Sequence, residues 1–356
     1  LLFFHDPERG NWREKYAQPR FQQAFAALKT DLDFLYQVIK LCISRNEAID
    51  NCYDRAVDIL AKYDIMANVD IDGMSFWYET TRRHVVLHLT PLSVADKFSD
   101  YIAKSEAGWV FTSATLAVNG GFDHFSQQLG LNIAKTKAAT LLVDSPFDYQ
   151  SQSQLIVPRY LPAAQHHSRA LALAELAIPL ITASKGACFL LFTSYRMLNQ
   201  VADILAEKIE SPLLVQGRMS KGLLLAAFID NPQAILLATA SFWEGVDVRG
   251  DKLTCVIIDK LPFASPDDPM LQARCEDVRR RGGDPFAEIQ LPQAVIALKQ
   301  GVGRLIRDVT DQGVMVICDD RLVNRPYGEV FLKSLPMMKR SRDIEQASEF
   351  LTSLSE

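Results

Sequence analysis

Residues 300–307, Gln300-Gly301-Val302-Gly303-Arg304-Leu305-Ile306-Arg307, place two arginines three positions apart behind a Gly-x-Gly turn. Side chains at positions i and i+3 lie on one side of a helix, so this spacing predicts a helix face that carries both guanidinium groups. A guanidinium is a planar fork of donors that suits phosphate oxygens. The stretch therefore indicates either an arginine pair that grips the terminal phosphate of a nucleotide or a helix end whose arginines are solvated.

Three apolar runs upstream each end in a short polar segment. Ala234–Thr239 leads into Ala240–Gly250, Ala187–Phe192 leads into Thr193-Ser194-Tyr195-Arg196, and Gly108–Phe111 leads into Thr112-Ser113-Ala114-Thr115-Leu116. Nearly continuous apolar runs are typical of parallel strands buried on both faces. Because parallel sheets present ligand-binding groups at the carboxyl ends of their strands, these polar segments are predicted to be ligand-contacting loops.

These segments, in this order, resemble motifs III to VI of superfamily 2 helicases. The motif sequences are most similar to those of the DinG/XPD branch: Thr-Ser-Ala-Thr-Leu at 112–116, Glu-Gly-x-Asp at 244–247, Lys-Leu-Pro-Phe at 260–263 and Gln-x-x-Gly-Arg-x-x-Arg at 300–307. Within that branch the sequence is most similar to the bacterial YoaA-type paralogues of DinG. The resemblance extends from roughly Val85 to Leu335. Each motif alone is a weak signal, whereas the ordered set is a strong one.

The resemblance implies an ATP-dependent DNA helicase that translocates on single-stranded DNA, with 5′-to-3′ polarity, in DNA repair or replication. An arginine facing the transferred phosphate can supply ~10³–10⁵ in rate. The implied roles are catalytic for Arg304, Arg307 and Gln300; nucleotide-binding for Gly245, Asp247, Glu244 and Gly303; coupling of nucleotide state to strand grip for Ser113, Ala114 and Thr115; and DNA-binding for Thr193, Ser194, Tyr195, Arg196 and Trp243.

Several of these residues also have a purely structural explanation. Ser194 is a residue type that caps helices anywhere in a chain. Ser113 and Thr115 can be an ordinary hydroxyl pair where a strand turns. Glu244 can be a solvated loop acid, and Trp243 can fill a domain interface instead of stacking on a base.

Three features outside these motifs have competing explanations too. The cluster Phe76-Trp77-Tyr78 can stack bases, since aromatic platforms suit single strands, but is more simply a strand packed in a core. His88 lies in an apolar run and is expected to be a core histidine. The basic run Arg279-Arg280-Arg281 can contact DNA, but such runs are more often solvated helix ends.

The sequence lacks two elements that a nucleotide-hydrolysing motor needs. No glycine is followed by lysine, so there is no Gly-Lys-Ser/Thr phosphate loop, and no Asp-Glu-x-His segment is present to hold Mg²⁺. In the family these elements belong to the first motor domain. The sequence also begins without methionine. We therefore expect the C-terminal part of a longer helicase, inactive alone, with ATP and Mg²⁺ held mainly by the missing domain.

The cysteines fit a reducing compartment, because they form no Cys-x-x-Cys pair and several lie in apolar runs. The family's four-cysteine iron–sulfur cluster is expected, if present, in the missing domain, and no metal site is expected in this chain. The six cysteines are Cys42, Cys52, Cys188, Cys255, Cys275 and Cys318.

Composition predicts a folded chain with a sizeable core, since 48% of the 356 residues are hydrophobic and 23% are charged. A net charge of −5 counts against a protein that coats nucleic acid, but not against a motor with a local groove. No apolar stretch is long enough for a membrane span. The protein is expected to be cytoplasmic and monomeric. Replication or repair proteins are expected partners. Two alternatives remain: a non-catalytic helicase-like interaction module, and an RNA-directed helicase.

The predicted fold is α/β, with a RecA-like parallel-sheet second motor domain at 145–340. It is preceded by a helical arch-type insertion at 1–75 and the final segment of the first motor domain at 76–144, and followed by a tail at 341–356. Apolar periodicity predicts helix from Arg20 to about Lys62. Strands are predicted at Val85–Leu89, Trp109–Thr112, Gln154–Val157, Cys188–Phe192, Leu213–Val215, Ile235–Ala238, Cys255–Ile258 and Val314–Cys318.

Overall fold

The computed structural model describes residues 8–81, 83–132, 138–163, 166–239, 242 and 252–354. Contacts divide these residues into two compact units. The first unit comprises the described residues of 1–104, 128–133 and 264–289, and the second those of 105–127, 134–263 and 290–356.

The elements are numbered here in chain order. The strands are β1 Arg9–Asn11, β2 Met74–Thr80, β3 Val85–Pro91, β4 Ser153–Ile156, β5 Cys188–Phe192, β6 Leu213–Val215, β7 Ile235–Thr239, β8 Cys255–Ile258, β9 Gly313–Ile317 and β10 Lys339–Ser341. The helices are α1 Trp12–Tyr16, α2 Pro19–Lys40, α3 Glu47–Ala67, α4 Ala95–Lys104, α5 Asp123–Leu129, α6 Tyr149–Gln152, α7 Arg169–Ala183, α8 Tyr195–Lys208, α9 Lys221–Asp230, α10 Pro269–Arg280, α11 Leu291–Val302, α12 Arg321–Asn324, α13 Gly328–Ser334 and α14 Ile344–Leu354, with a π-helix at Phe286–Gln290.

The first unit combines a small antiparallel sheet with two long helices. The strands pair in the order β1-β2-β3, and α10 packs against β2. Helices α2 and α3 pack against each other. The buried core is aromatic and contains Trp12, Phe21, Phe76 and Tyr78.

The predicted helix from 20 to 62 is two helices, α2 and α3, with a break at 41–46. Ser44 adopts a left-handed φ of 65°, and its N–H donates to Asp50 Oδ1 at 2.8 Å. Asn46 then caps α3 by accepting the Ala48 N–H at 2.8 Å. Local hydrogen bonds from short polar side chains therefore interrupt a pattern that apolar periodicity alone runs through.

The second unit is built on a parallel sheet of seven strands in the order β10-β4-β9-β8-β5-β7-β6. Core residues from α9, α11 and α13 cover one face, and those from α7, α8 and α14 cover the other. This arrangement confirms the predicted α/β class and explains the apolar strands, because both faces of the sheet are buried. The strand predictions from Gln154 onward are confirmed to within one residue at each end.

One predicted strand, Trp109–Thr112, is wrong. In the part of the chain that the structure describes, no strand pairs with these residues, and Val110 is 85% exposed. An apolar run becomes a strand only where a neighbour accepts its backbone hydrogen bonds. Val85–Leu89 does form a strand, β3, but it belongs to the antiparallel sheet.

The predicted domain boundaries remain predictions, and the compact units differ from them in two places. Residues 264–289 group with the first unit, although they fall within the predicted second motor domain. Residues 341–356 were predicted as a tail, yet β10 pairs with β4, and Ala347 and Leu351 of α14 are buried in the core of the second unit. No helix among the described residues has the length and apolarity needed to cross a membrane.

Candidate functional site

The carboxyl edge of the parallel sheet gathers polar residues from four neighbouring strands, β8-β5-β7-β6. Asp259 directly follows β8, Thr193 follows β5 and Gln216 follows β6, while Thr239 is the last residue of β7. Parallel strands share one direction, so these residues line the edge at which α/β sheets bind ligands. The predicted DNA-binding segment 193–196 lies on this carboxyl edge.

Asp259 holds the first residue of that segment. Its Oδ1 accepts the Thr193 backbone N–H at 3.1 Å, and its Oδ2 lies 3.4 Å from the Thr193 hydroxyl. Burial raises the pKa of Asp259 to about 6, although Lys260, the Thr193 N–H and Arg169 act in the opposite direction. A buried carboxyl at a ligand-binding edge is a candidate for a functional role.

Arg169 is a buried cation that ties neighbouring strand ends together. Its Nη1 donates to the Pro162 carbonyl at 2.7 Å, and its Nη2 donates to the Asp259 carbonyl at 2.9 Å and to the Cys318 carbonyl. Asp259 and Cys318 directly follow β8 and β9. Because its donors point at backbone carbonyls, Arg169 makes the carboxyl edge rigid and is not placed to bind a ligand.

Asp319 has the same structural role for the Lys-Leu-Pro-Phe segment. It accepts the Leu261 N–H at 2.8 Å and pairs with Arg321 Nη2 at 2.6 Å. Burial acts to raise the pKa of Asp319, but the Arg321 hydrogen bonds and the Leu261 N–H outweigh it, and the pKa is lowered. Arg321 also lies over the Phe263 ring. Within the motif, Leu261 is thus held by a hydrogen bond to Asp319, and Phe263 by a cation–π contact with Arg321.

Gln216 links the segment after β5 to the end of β7. Its Nε2 lies 2.7 Å from the Tyr195 hydroxyl. Its Oε1 accepts the Thr239 backbone N–H at 2.6 Å and the Thr239 hydroxyl at 3.0 Å. One side chain therefore sets the positions of Tyr195 and Thr239.

The segment 193–196 carries both a cap and exposed donors. Ser194 is the N-cap of α8 and accepts the Met197 N–H at 3.4 Å, so the capping explanation describes what this hydroxyl does. Tyr195 and Arg196 are exposed. The structure places all four residues together: Thr193 and Ser194 make internal hydrogen bonds, whereas Tyr195 and Arg196 are exposed, with Tyr195 also accepting from Gln216.

The arginine pair lies beyond a helix, and the predicted common helix face is wrong. Helix α11 ends at Val302, Gly303 is its C-cap, Arg304 lies in the turn that follows, and Arg307 lies in the irregular segment just beyond that turn. Leu305 and Ile306 between them are buried. Their packing redirects the chain out of the helix, whereas the spacing of three alone suggested that it continued.

The turn that carries the arginines is firmly held. Asp311 Oδ2 accepts the N–H groups of Arg307, at 2.8 Å, and Asp308, at 2.9 Å. Gln152 Nε2 donates to the Asp308, Val309 and Asp311 carbonyls at 2.9–3.2 Å. Gln300 lies in the last turn of α11 and is half-buried. The two arginines and Gln300 are therefore close in the chain and share one anchored segment.

The residues predicted to couple nucleotide state to strand grip include a pair of hydroxyls, Ser113 and Thr115, that bond to each other, as in the structural alternative. Ser113 Oγ and Thr115 Oγ1 are 3.2 Å apart, and Ala114 between them is exposed. Just beyond, Lys299 Nζ donates to the Ala117 carbonyl at 2.9 Å, and burial lowers the pKa of Lys299. That bond joins the segment 113–117 to α11, the helix that leads into the arginines.

The remaining predictions divide clearly. Trp243, Glu244, Gly245 and Asp247 lie outside the described residues. Arg280 and Arg281 are paired within and beside α10, to Glu276 and to Asp277 and Glu288, which supports the solvated helix end.

The aromatic cluster also follows its structural explanation. Phe76 and Tyr78 are buried in the core of the first unit. Trp77 stacks on His88 with ring centroids 3.7 Å apart, and His88 Nε2 lies 3.3 Å from Glu79 Oε1. The rings of Phe76 and Tyr78 are therefore not available to bases, whereas Trp77 and His88 are half-buried, so His88 is not the core histidine that was expected.

Sequence reasoning missed four residues of the site: Asp259, Gln216, Arg169 and Lys299. Asp259 and Gln216 each directly follow an apolar strand, so the rule that led to 193–196 could have found them. Arg169 and Lys299 act through backbone carbonyls distant in sequence, and no local pattern signals such bonds.

Comparison with known proteins agrees with this geometry. Residues 177–338 match the family described as the helicase C-terminal domain. The chain is 52% identical over 343 residues to the Haemophilus influenzae ATP-dependent DNA helicase YoaA. The aligned residues cover 96% of this chain and 53% of that relative. It is 37% identical over 285 residues to the Mycobacterium tuberculosis (strain H37Rv) ATP-dependent helicase DinG, covering 78% of the chain and 42% of that relative.

A solved apo structure of XPD shares the fold, with a TM-score of 0.57 at 15% identity over 91% of this chain and 62% of that one. The chain thus spans about half the length of the curated relatives that it matches. The ordered motifs, the parallel sheet and these similarities together show that the chain belongs to the DinG/XPD family of superfamily 2 helicases.

Proposed function

We propose that this chain is part of an ATP-dependent DNA helicase that moves 5′ to 3′ along single-stranded DNA in DNA repair or replication. The observation that carries the proposal is 52% identity, over 96% of the chain, to a relative named an ATP-dependent DNA helicase. The carboxyl edge supports it, because exposed Tyr195 and Arg196 offer donors at the start of α8, and such donors suit a phosphate backbone.

The proposed division of labour follows from which groups this sequence supplies. Arg304 and Arg307 offer cationic forks from a held turn, and these would stabilise negative charge on a transferred phosphoryl group. The sequence contains no Gly-Lys phosphate loop and no Asp-Glu-x-His segment. We therefore propose that residues outside this sequence hold the phosphates and Mg²⁺, as well as any iron–sulfur cluster.

An unwinding assay on the full-length protein tests this proposal. Duplexes with a 5′ or a 3′ single-stranded DNA tail, and a duplex with a 5′ RNA tail, are compared with ATP and Mg²⁺ present. We expect separation only of the 5′ DNA-tailed duplex. Separation of the RNA-tailed duplex would support the RNA-directed alternative, and binding of single strands without unwinding or ATP hydrolysis would support the interaction module.

A further inference from the structure

The orientation of the Gln216 side-chain amide is fixed by chemistry. The Thr239 backbone N–H, 2.6 Å away, can only donate, so the atom that faces it must be the amide oxygen. The Thr239 hydroxyl, at 3.0 Å from the same oxygen, donates as well. The NH₂ group of Gln216 consequently faces Tyr195 at 2.7 Å. An amide nitrogen of this type has no lone pair to offer and can only donate.

This orientation decides the polarity of the Tyr195 hydroxyl. Because Gln216 donates to the phenol oxygen, the phenol hydrogen cannot point at Gln216. It is directed away from Gln216, and Tyr195 is 51% exposed. Among the described residues no internal acceptor binds this hydrogen, so the hydroxyl is prepared to donate to an acceptor that arrives from solvent.

We infer that Gln216 is a positioning residue, which presents the Tyr195 hydroxyl as a hydrogen-bond donor to a backbone phosphate of bound single-stranded DNA. The inference rests on the proposed function and adds a residue that the helicase motifs did not single out. A phosphate is the acceptor expected here because Arg196, the next residue, is an exposed cation. The neutral Tyr195 hydroxyl and the Arg196 guanidinium, adjacent in the chain, could both contact the same phosphate.

The inference predicts a specific pattern of single-strand affinity in the full-length protein. Tyr195→Phe removes the hydrogen but keeps the ring, and we expect about tenfold weaker binding of an oligo-dT strand, the loss typical of a hydrogen bond to a charged group. The slope of log affinity against log salt should not change, since a neutral donor displaces no counterion. Tyr160→Phe is the matched control, because Tyr160 is 90% exposed in the same unit.

Variants of Gln216 test whether it acts through Tyr195. In Gln216→Glu a carboxylate can only accept, so the phenol hydrogen turns inward, and we expect at least the loss seen for Tyr195→Phe. Gln216→Leu should weaken binding in the wild-type background. In the Tyr195→Phe background it should have almost no further effect, as expected for two residues that act as one unit.

The measurement is fluorescence anisotropy at several salt concentrations, with thermal unfolding to confirm that each variant is folded. Wild-type affinity for oligo-dT tests the proposed function, and the variants test the inference. Equal affinity of Tyr195→Phe and wild type would overturn the inference and leave the proposed function intact. So would a reduced salt slope for Tyr195→Phe, or independent, additive losses for Gln216→Leu and Tyr195→Phe. A wild-type protein that binds no single-stranded DNA would overturn both.

Discussion

At the residue scale, three buried or half-buried charged residues are proposed to support the function: Arg304, Arg307 and Asp259. Arg304 and Arg307 flank buried Leu305 and Ile306, and Asp311 holds the backbone of the same turn. Asp259 holds the start of the proposed DNA-binding segment 193–196 through the Thr193 N–H. For the arginines we predict an effect on ATP hydrolysis, and for Asp259 an effect on the pH dependence of stability.

Replacing either arginine should slow ATP hydrolysis without weakening the binding of single-stranded DNA. In the full-length protein we expect Arg304→Ala or Arg307→Ala to lower kcat for ATP by at least ~10², with single-strand affinity little changed. Lysine should rescue only partly, because an ammonium cannot make a forked contact. Steady-state ATPase assays with saturating oligonucleotide measure this. Normal ATP hydrolysis together with lost DNA binding would reverse the roles assigned to these residues.

Asp259 should make stability depend on pH. Its pKa is raised from 3.8 to about 6, so the folded state binds the extra proton between those values. The stabilising contribution of that proton is complete below pH ~4 and is lost as the pH rises through ~6, by at most ~3 kcal/mol. Asp259→Asn should remove this dependence, and Asp267→Asn, at an exposed position, should keep it. Unfolding followed at pH 4–8 checks this; parallel curves for all three proteins would contradict it.

At the scale of elements, helix ends decide where functional groups lie. Helix α8 begins at Tyr195 after a Ser194 cap, which puts two side chains at the carboxyl edge of β5. Helix α11 ends at Val302, which puts both arginines in the non-helical segment that follows it. Between the end of α7 and the start of β5, Gly186 adopts a left-handed backbone conformation.

Arg196 should provide one phosphate contact at the start of α8. We expect Arg196→Ala to weaken single-strand binding and to reduce the salt slope by about one unit, as for the loss of one cation–phosphate contact. Anisotropy titrations of wild type and variant at several salt concentrations give both quantities. If Arg196 only supports its own helix, the slopes will be parallel and the thermal stability will fall.

Gly186 should be required for the connection between α7 and β5. It has φ +104°, and a Cβ atom there would lie 2.3 Å from the Gln233 carbonyl oxygen. We expect Gly186→Ala to destabilise the protein by about 3 kcal/mol or more. Gly282→Ala is the control, since Gly282 also has positive φ but no described atom lies within 4 Å of its Cβ position. Its cost should be ~1 kcal/mol. Equal losses in urea unfolding would show that the contact with Gln233 is unimportant.

At the scale of the whole molecule, the sequence predicted the sheet better than the site. Apolar runs such as Cys188–Phe192 predicted the parallel sheet, because burial on both faces leaves a continuous pattern. The break between α2 and α3 depended on Asn46 and Ser44, which periodicity does not register. The helix face proposed for Arg304 and Arg307 failed because burial of Leu305 and Ile306 overrides local spacing.

Residues that act at a distance were the hardest to predict. Gln216 reaches Tyr195 and Thr239, each more than twenty positions away in sequence, only because β6, β7 and β5 are neighbours in the sheet. Arg169 reaches Asp259 in the same way. Such bonds follow from strand order, which motif spacing does not contain.

The central claim is that this chain carries the arginine and strand-contacting half of a motor whose phosphate-holding half lies outside this sequence. The most direct test compares ATP hydrolysis by the full-length protein and by this chain alone, with Mg²⁺ and increasing single-stranded DNA. We expect saturable, DNA-stimulated hydrolysis by the full-length protein and none by the chain, because arginines cannot orient the phosphates without a cradle. Saturable, DNA-stimulated hydrolysis by a clean preparation of the chain alone would contradict the account.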